Sequence, residues 1–160
     1  MPKATYARLP TILGLGALLT GTAFAGSHMS EDVEKAIEAR HAHMQLYSFN
    51  LSTLGGMAQD KAPYDATAAA QAANNLAALA AMDQTAYWVD GSDSSLEESR
   101  ANPEIWTDSA GFAEQVDALA TASADLAAVA GTDLASLKAA FGPVGQSCGG
   151  CHRNYRVRNN

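Results

Sequence analysis

From residue 31 onward, apolar residues recur at three- and four-residue steps and show no alternation at every second position, so the chain predicts helices and no strands. Val33, Ile37, Met44, Tyr47, Leu51 and Leu54 form a first stripe. Ser30 ahead of Glu31 and Asp32 supplies an N-cap and acids that favour the helix dipole. Gly55-Gly56 weakens that helix near Met57, Lys61-Ala62-Pro63-Tyr64 makes a turn, and Asp65 caps a second helix over about 66–82. The second helix is mainly alanine, with Leu76 and Leu79 its largest apolar residues. Residues 83–103 break the pattern around Gly91-Ser92-Asp93-Ser94-Ser95 and carry Tyr87 and Trp88, a long connection for a helical protein. Asn102-Pro103-Glu104-Ile105-Trp106 leads to a third helix capped at Thr107 or Asp108, with Phe112, Val116, Leu119, Leu126 and Val129 facing inward. Gly131 closes it, and Thr132 caps a fourth helix that buries Leu134, Leu137, Phe141 and Val144. Gly142-Pro143 interrupts that last pattern, which predicts a kink, a break, or a new helix starting at Pro143. The expected fold is all-α: an antiparallel up-down four-helix bundle, a fold that holds cofactors between its helices.

Length and composition change this picture only at the edges. A chain of 160 residues, 48% hydrophobic, suits one domain with one core. Residues 1–25 read as a secretory signal: Lys3 and Arg8 ahead of an apolar run from Ile12 to Leu19, then Ala23-Phe24-Ala25 as the cleavage motif. That run is too short and too rich in Gly and Thr for a membrane span. Gly26-Ser27-His28-Met29 reads as a cloning scar, which leaves 30–160 as the working domain. Loss of Lys3 and Arg8 makes the formal charge two units more negative than −7. Such an acidic surface argues against nucleic acid and anionic membranes and is compatible with a basic redox partner protein.

Near the C-terminus stands Cys148-Gly149-Gly150-Cys151-His152. A Cys-x-x-Cys pair can be a redox couple, half of a zinc site or a disulfide. The redox couple wants a strand–helix context that is missing, and zinc wants further ligands although the chain has only 2 cysteines. The adjacent histidine and the export signal point instead to covalent haem attachment, with thioethers at Cys148 and Cys151 and His152 as the axial iron ligand. On a helix the three share one face, and the two glycines leave room for a flat ring.

With these residues in view, the chain resembles the cytochromes c′, four-helix haem proteins of bacterial periplasms. The likeness runs from Glu31 to Arg158 through Arg40 and Met44, Ala62-Pro63-Tyr64-Asp65, Pro103-Glu104-Ile105-Trp106, and Ala139 to Arg156. Pro143 and the His41/His43 pair depart from its pattern. The resemblance implies one covalent haem c per chain, a five-coordinate iron, Met44 crowding the open side, Arg40 holding a haem propionate, and Arg156 shaping the proximal pocket. It also implies a homodimer through the first two helices. Read without the resemblance, Arg40 is equally a surface arginine paired with Glu34 or Glu38. His41 and His43 stand on different faces of a helix and read as exposed or interfacial, Tyr155 as core, and Trp88 and Trp106 as core or slot-lining aromatics.

The expected function is therefore a periplasmic, non-enzymatic haem protein that binds nitric oxide or carbon monoxide, with a role in electron transfer or protection from nitric oxide. The alternative is a low-spin electron-transfer cytochrome ligated by His152 and Met44. Peroxidase-like catalysis ranks last, because only His41 or His43 offers a distal acid–base group. Since the second helix buries little area per residue, the macrocycle supplies a large share of the core. Haem-free protein is accordingly predicted to show no sharp, native-like circular dichroism melt.

Overall fold

The computed structural model describes Met1 and residues 29–158. The expected secretory signal beyond Met1, and residues 26–28 of the expected scar, lie outside the described residues. Five helices follow in order: α1 Glu31–Ala58, α2 Ala66–Ala80, α3 Glu104–Thr107, α4 Ser109–Val129 and α5 Leu134–Tyr155, with a 3₁₀ turn at Thr85–Tyr87. No strand occurs among the described residues. The four long helices form the bundle, because α2 packs between α1 and α4, α4 packs on α5, and α5 returns to α1.

Local chemistry sets most boundaries. Ser30 Oγ accepts from the Val33 amide (3.4 Å), and Asp65 Oδ1 accepts from the Ala68 amide (2.9 Å). Asp60 ends the turn after α1 in the left-handed region (φ 57°), which Asp tolerates better than most residues, and the Lys61 amide then donates back to the Gly56 carbonyl (2.8 Å). Asp108 caps α4, as one of the two expected alternatives. The cap of α5 is Asp133 rather than Thr132. The Asp133 carboxylate accepts from the Ser136 amide at 2.7 Å, so α5 starts one residue later than the glycine stop suggested.

Pro143 neither breaks α5 nor starts a new helix. One helix runs through it from Leu134 to Tyr155. Gly142 and Gly145, on either side, face open space.

The main core joins Leu54 and Met57 of α1, Ala69, Ala73 and Leu76 of α2, Leu126 of α4, and Leu137 and Val144 of α5. The alanines of α2 let it approach its neighbours closely. Gly131, just past α4, extends this approach: a Cβ built there falls 2.9 Å from Ala70 Cβ and 3.2 Å from the Ala66 carbonyl. A smaller apolar cluster of Ala101, Ile105 and Tyr155, flanked by Trp88, Trp106 and Phe112, sits beside the connection between α2 and α4. Tyr155 is core, as expected, and its hydroxyl donates to Asp108 Oδ2 at 2.7 Å. That bond and burial together push the phenol up to about 12.

Gly131→Ala is expected to destabilise the protein by about 1–3 kcal/mol through overpacking against α2, outweighing the usual gain from stiffening the unfolded chain. The thermal unfolding midpoint reads this directly.

Candidate functional site: an apolar slot beside α5

The packing of α1 on α5 is the thinnest side of the bundle, and a cavity of about 720 Å³ opens there. Met44, Tyr47 and Leu51 of α1, Phe112, Val116 and Leu119 of α4, and Cys148, Cys151 and His152 of α5 line it, together with Trp88 and Ile105. Helix α2 contributes nothing to the lining. This explains why the apolar stripes of α1 and α4 are only partly buried. Met44 is 39% exposed, and Phe112, Val116 and Leu119 are half-buried, because these residues face the cavity instead of a neighbouring helix.

Cys148, Cys151 and His152 lie within the unbroken α5, so their spacing puts them on one face. Cys148 packs against the main core and Cys151 against the smaller aromatic cluster. Both thiols are free and half-buried. Burial raises the pKa of Cys148 and pushes Cys151 up to about 11, with its neighbour's charge adding to the effect. A thioredoxin-type couple needs the opposite shift, toward a stable thiolate. Burial and the Arg156 cation lower the pKa of His152, which keeps its imidazole neutral with a lone pair free.

The two spacer glycines differ in role. Gly149 faces open space, whereas a Cβ on Gly150 would stand 2.8 Å from Gln115 Oε1 of α4. A side chain at Gly150 would make the end of Gln115 move aside, and only Gly149 faces the open space expected for a flat ring.

Arg40 is not a surface arginine paired with Glu34 or Glu38. It is 5% exposed and reaches into the connection after α2. Nη1 donates to the Tyr87 carbonyl (3.0 Å) and Ser92 Oγ (2.9 Å), and Nη2 to the Ser92 carbonyl (2.7 Å) and Ser99 Oγ (3.4 Å). Its guanidinium also lies 4.9 Å from the centre of the Trp88 ring. Burial lowers its pKa from the ordinary arginine value, and no carboxylate compensates it among the described residues.

Arg156 lies one residue past α5 in extended backbone, so it does not continue the helical register from His152. It reaches the cavity because it pairs with Ala101 in an antiparallel bridge. Trp88 lines the cavity, while Trp106 packs behind it and donates Nε1 to the Trp88 carbonyl at 3.1 Å.

The two histidines of α1 part company. His41 is exposed and lines the cavity. His43, expected to be exposed or interfacial, is 4% exposed and lies outside the cavity lining. It meets Tyr47 edge-on at 4.6 Å and Tyr87 at 5.8 Å, and its Nε2 finds no partner. Sequence periodicity missed it because the groups that cover it come partly from the aperiodic connection. Tyr47, Gln84, Ser99, Arg100 and Gln115 also line the cavity without having been singled out for it. Of these only Tyr47 stood on a recognised apolar stripe.

The fit to a haem is good on this structure's own terms. A planar, mainly apolar group needs an apolar slot, two thiols and a neutral imidazole on one wall, and cations for its acidic edge; all are present around one cavity. The family model for cytochrome C′ matches residues 35–156. This chain belongs to the cytochrome c′ family. Among curated relatives, cytochrome c-554 of Cereibacter sphaeroides is 41% identical over 131 residues, covering 81% of this chain and 86% of that protein. Among solved structures, the cytochrome c′ from Rhodobacter Spheriodes superposes with a TM-score of 0.78 at 33% identity, covering 79% of this chain and 98% of that one. The nitric oxide complex of a mutant of cytochrome c prime from Alcaligenes xylosoxidans superposes with a TM-score of 0.71 at 32% identity, covering 82% and 100%. As a cytochrome c′ the chain carries covalent haem c, and it is a c-type haem protein. No helix among the described residues is long and apolar enough to cross a membrane.

The orphaned His43 generates a pH prediction. Its folded-state pKa lies below 6.5, so the unfolded chain takes up this proton first as pH falls. Stability from neutral His43 is complete above about pH 6.5 and is lost as the pH drops from there through the lowered folded value. Urea midpoints of the holoprotein at about pH 7.5 and about pH 5 are expected to differ less in His43→Gln than in the parent.

Proposed function

We propose that this cytochrome c′ is a periplasmic protein that reversibly binds a small neutral gas, nitric oxide or carbon monoxide, without catalysing its conversion. The observation that carries the reading is the division of the cavity walls. Helix α5 offers Cys148, Cys151 and His152 side by side, while α1 offers Met44 and Leu51. Cys148 and Cys151 would hold the macrocycle through thioethers and His152 would give its lone pair to the iron, which would supply the gas-binding chemistry. Met44 would crowd the gas and exclude water and bulkier ligands, Arg40 would offset the charge of a propionate, and the Arg156 cation beside His152 would disfavour an imidazolate-like ligand.

The non-enzymatic part of the reading has a geometric basis. A distal acid–base pair needs two groups over the open position, and His43 has turned into the packing between Tyr47 and Tyr87. The relative solved with nitric oxide supports the choice of gas. A secretory signal at residues 1–25 carries the periplasmic assignment. Self-association is proposed through α1 and α2, where Leu46 (50% exposed) and Phe49 (70%) of α1 and Met82 (47%), just past α2, stand outside the core.

One observation favours a second reading. Met44 faces the cavity with 39% of its surface exposed, so its thioether is available as a sixth ligand, as in a low-spin electron-transfer cytochrome. The optical spectrum separates the two. A high-spin ferrous band without split α and β peaks is expected, and sharp low-spin bands with a sulfur–iron feature at roughly 695 nm overturn it. Met44→Ala is expected to leave the spin state unchanged and to raise gas affinity on the order of tenfold, equivalent to about 1.4 kcal/mol of relieved crowding.

A further inference from the structure

Three arginines line the cavity, from three separate parts of the chain. Arg40 comes from α1, Arg100 from the connection ahead of α3, and Arg156 from the residue past α5. Backbone pairing brings them together. Arg40 holds Ser99, Ala101 bridges to Arg156, and the carbonyl of Arg100 accepts from the Val157 amide at 2.9 Å. Arg100 therefore stands between the residue that Arg40 grips and the residue paired with Arg156.

The charge around this cavity is one-sided. The chain carries 17 acidic side chains against 10 Lys and Arg, yet among the described residues no Asp or Glu lines the cavity. Among the described residues the only ion pairs are Lys35–Glu31 and Lys138–Asp60, so all three arginines lack an acidic partner. Arg40 is buried and bonds only neutral acceptors. A buried guanidinium without a counter-ion is costly. Arginine's planar fork suits a carboxylate, and two carboxylates would offset most of this charge.

We propose that Arg100, with Arg156, binds a propionate of the haem, so that the connection over the slot is fastened by the cofactor's acidic edge. This rests on the reading that the cavity holds the haem attached at Cys148 and Cys151. Arg100 makes no side-chain hydrogen bond or ion pair among the described residues, which leaves its whole fork free for that carboxylate.

The test uses holoprotein and two readouts. The resonance Raman bending band of the haem propionates follows the hydrogen bonds those groups accept. In Arg100→Gln that band is expected to shift, and in Arg100→Lys to return part of the way. Exchange protection of the Ser94 and Val157 amides, bonded to the Ala101 and Arg100 carbonyls, is expected to fall in Arg100→Gln by about tenfold. Arg153→Gln, an exposed cation of α5 outside the cavity lining, serves as control and is expected to leave the band in place. An unshifted band in pigmented Arg100→Gln protein overturns the proposal, even if the amides lose protection, because Arg100 would then only brace the backbone. An equal shift in Arg153→Gln overturns it as a general field effect. Parent protein matured in a competent host yet lacking covalent haem overturns the functional reading as well, and is distinguished by its lack of colour.

Discussion

Arg40 sends four hydrogen bonds from α1 into the connection between α2 and α3, the largest set of side-chain hydrogen bonds that one residue makes to that connection from the bundle. The segment around it has no apolar periodicity and a single 3₁₀ turn at Thr85–Tyr87. Its shape comes from outside itself. Ser92 and Ser99 are fully buried because they receive the guanidinium, Ser99 Oγ donates on to the Ser92 carbonyl at 2.7 Å, and Trp88 lies under the same group. A buried cation without a carboxylate is normally destabilising; here neutral acceptors and an aromatic face reduce the cost, and an acidic ligand edge at the rim would remove much of the rest.

That tie permits a bundle with one loosely packed side. A four-helix bundle closed on all sides by leucines would leave no room for a macrocycle. This chain closes the α1–α2–α4 side with alanine and a few leucines and opens the α1–α5 side into the slot. The large side chains that face the slot, Met44, Leu51, Phe112, Val116 and Leu119, gain little from burial by protein alone. Their stabilising contribution depends on what fills the slot, so cofactor binding and folding are coupled in this architecture.

The pattern of apolar residues located the four long helices and two caps to the residue, because Ser30 and Asp65 each stand at a sharp change from polar turn to periodic stripe. The attachment residues were equally legible, since Cys148, Cys151 and His152 need only the helical register of α5 to share a face. The reading was weaker wherever distant chain had to arrive. Arg40 could be placed on α1 but not buried, because its partners lie 47 to 59 residues away in the connection. His43 was hidden for the same reason. Arg156 came from the family resemblance, and the structure brings it to the cavity as an extended residue bridged to Ala101. Pro143 shows the opposite failure: a strong local rule for breaking helices gave way to packing of Val144 and Leu137 on either side of it.

The protonation of the two thiols bears on how they avoid pairing with each other. Two cysteines three positions apart are at risk of closing on each other wherever conditions are oxidising, and closure requires a thiolate to attack. Folding around the slot raises both pKa values, Cys151 to about 11, which leaves a thiolate fraction on the order of one in ten thousand near neutral pH. The same burial that shapes the slot therefore slows the competing disulfide. It also makes the folded thiols poor nucleophiles for any other partner.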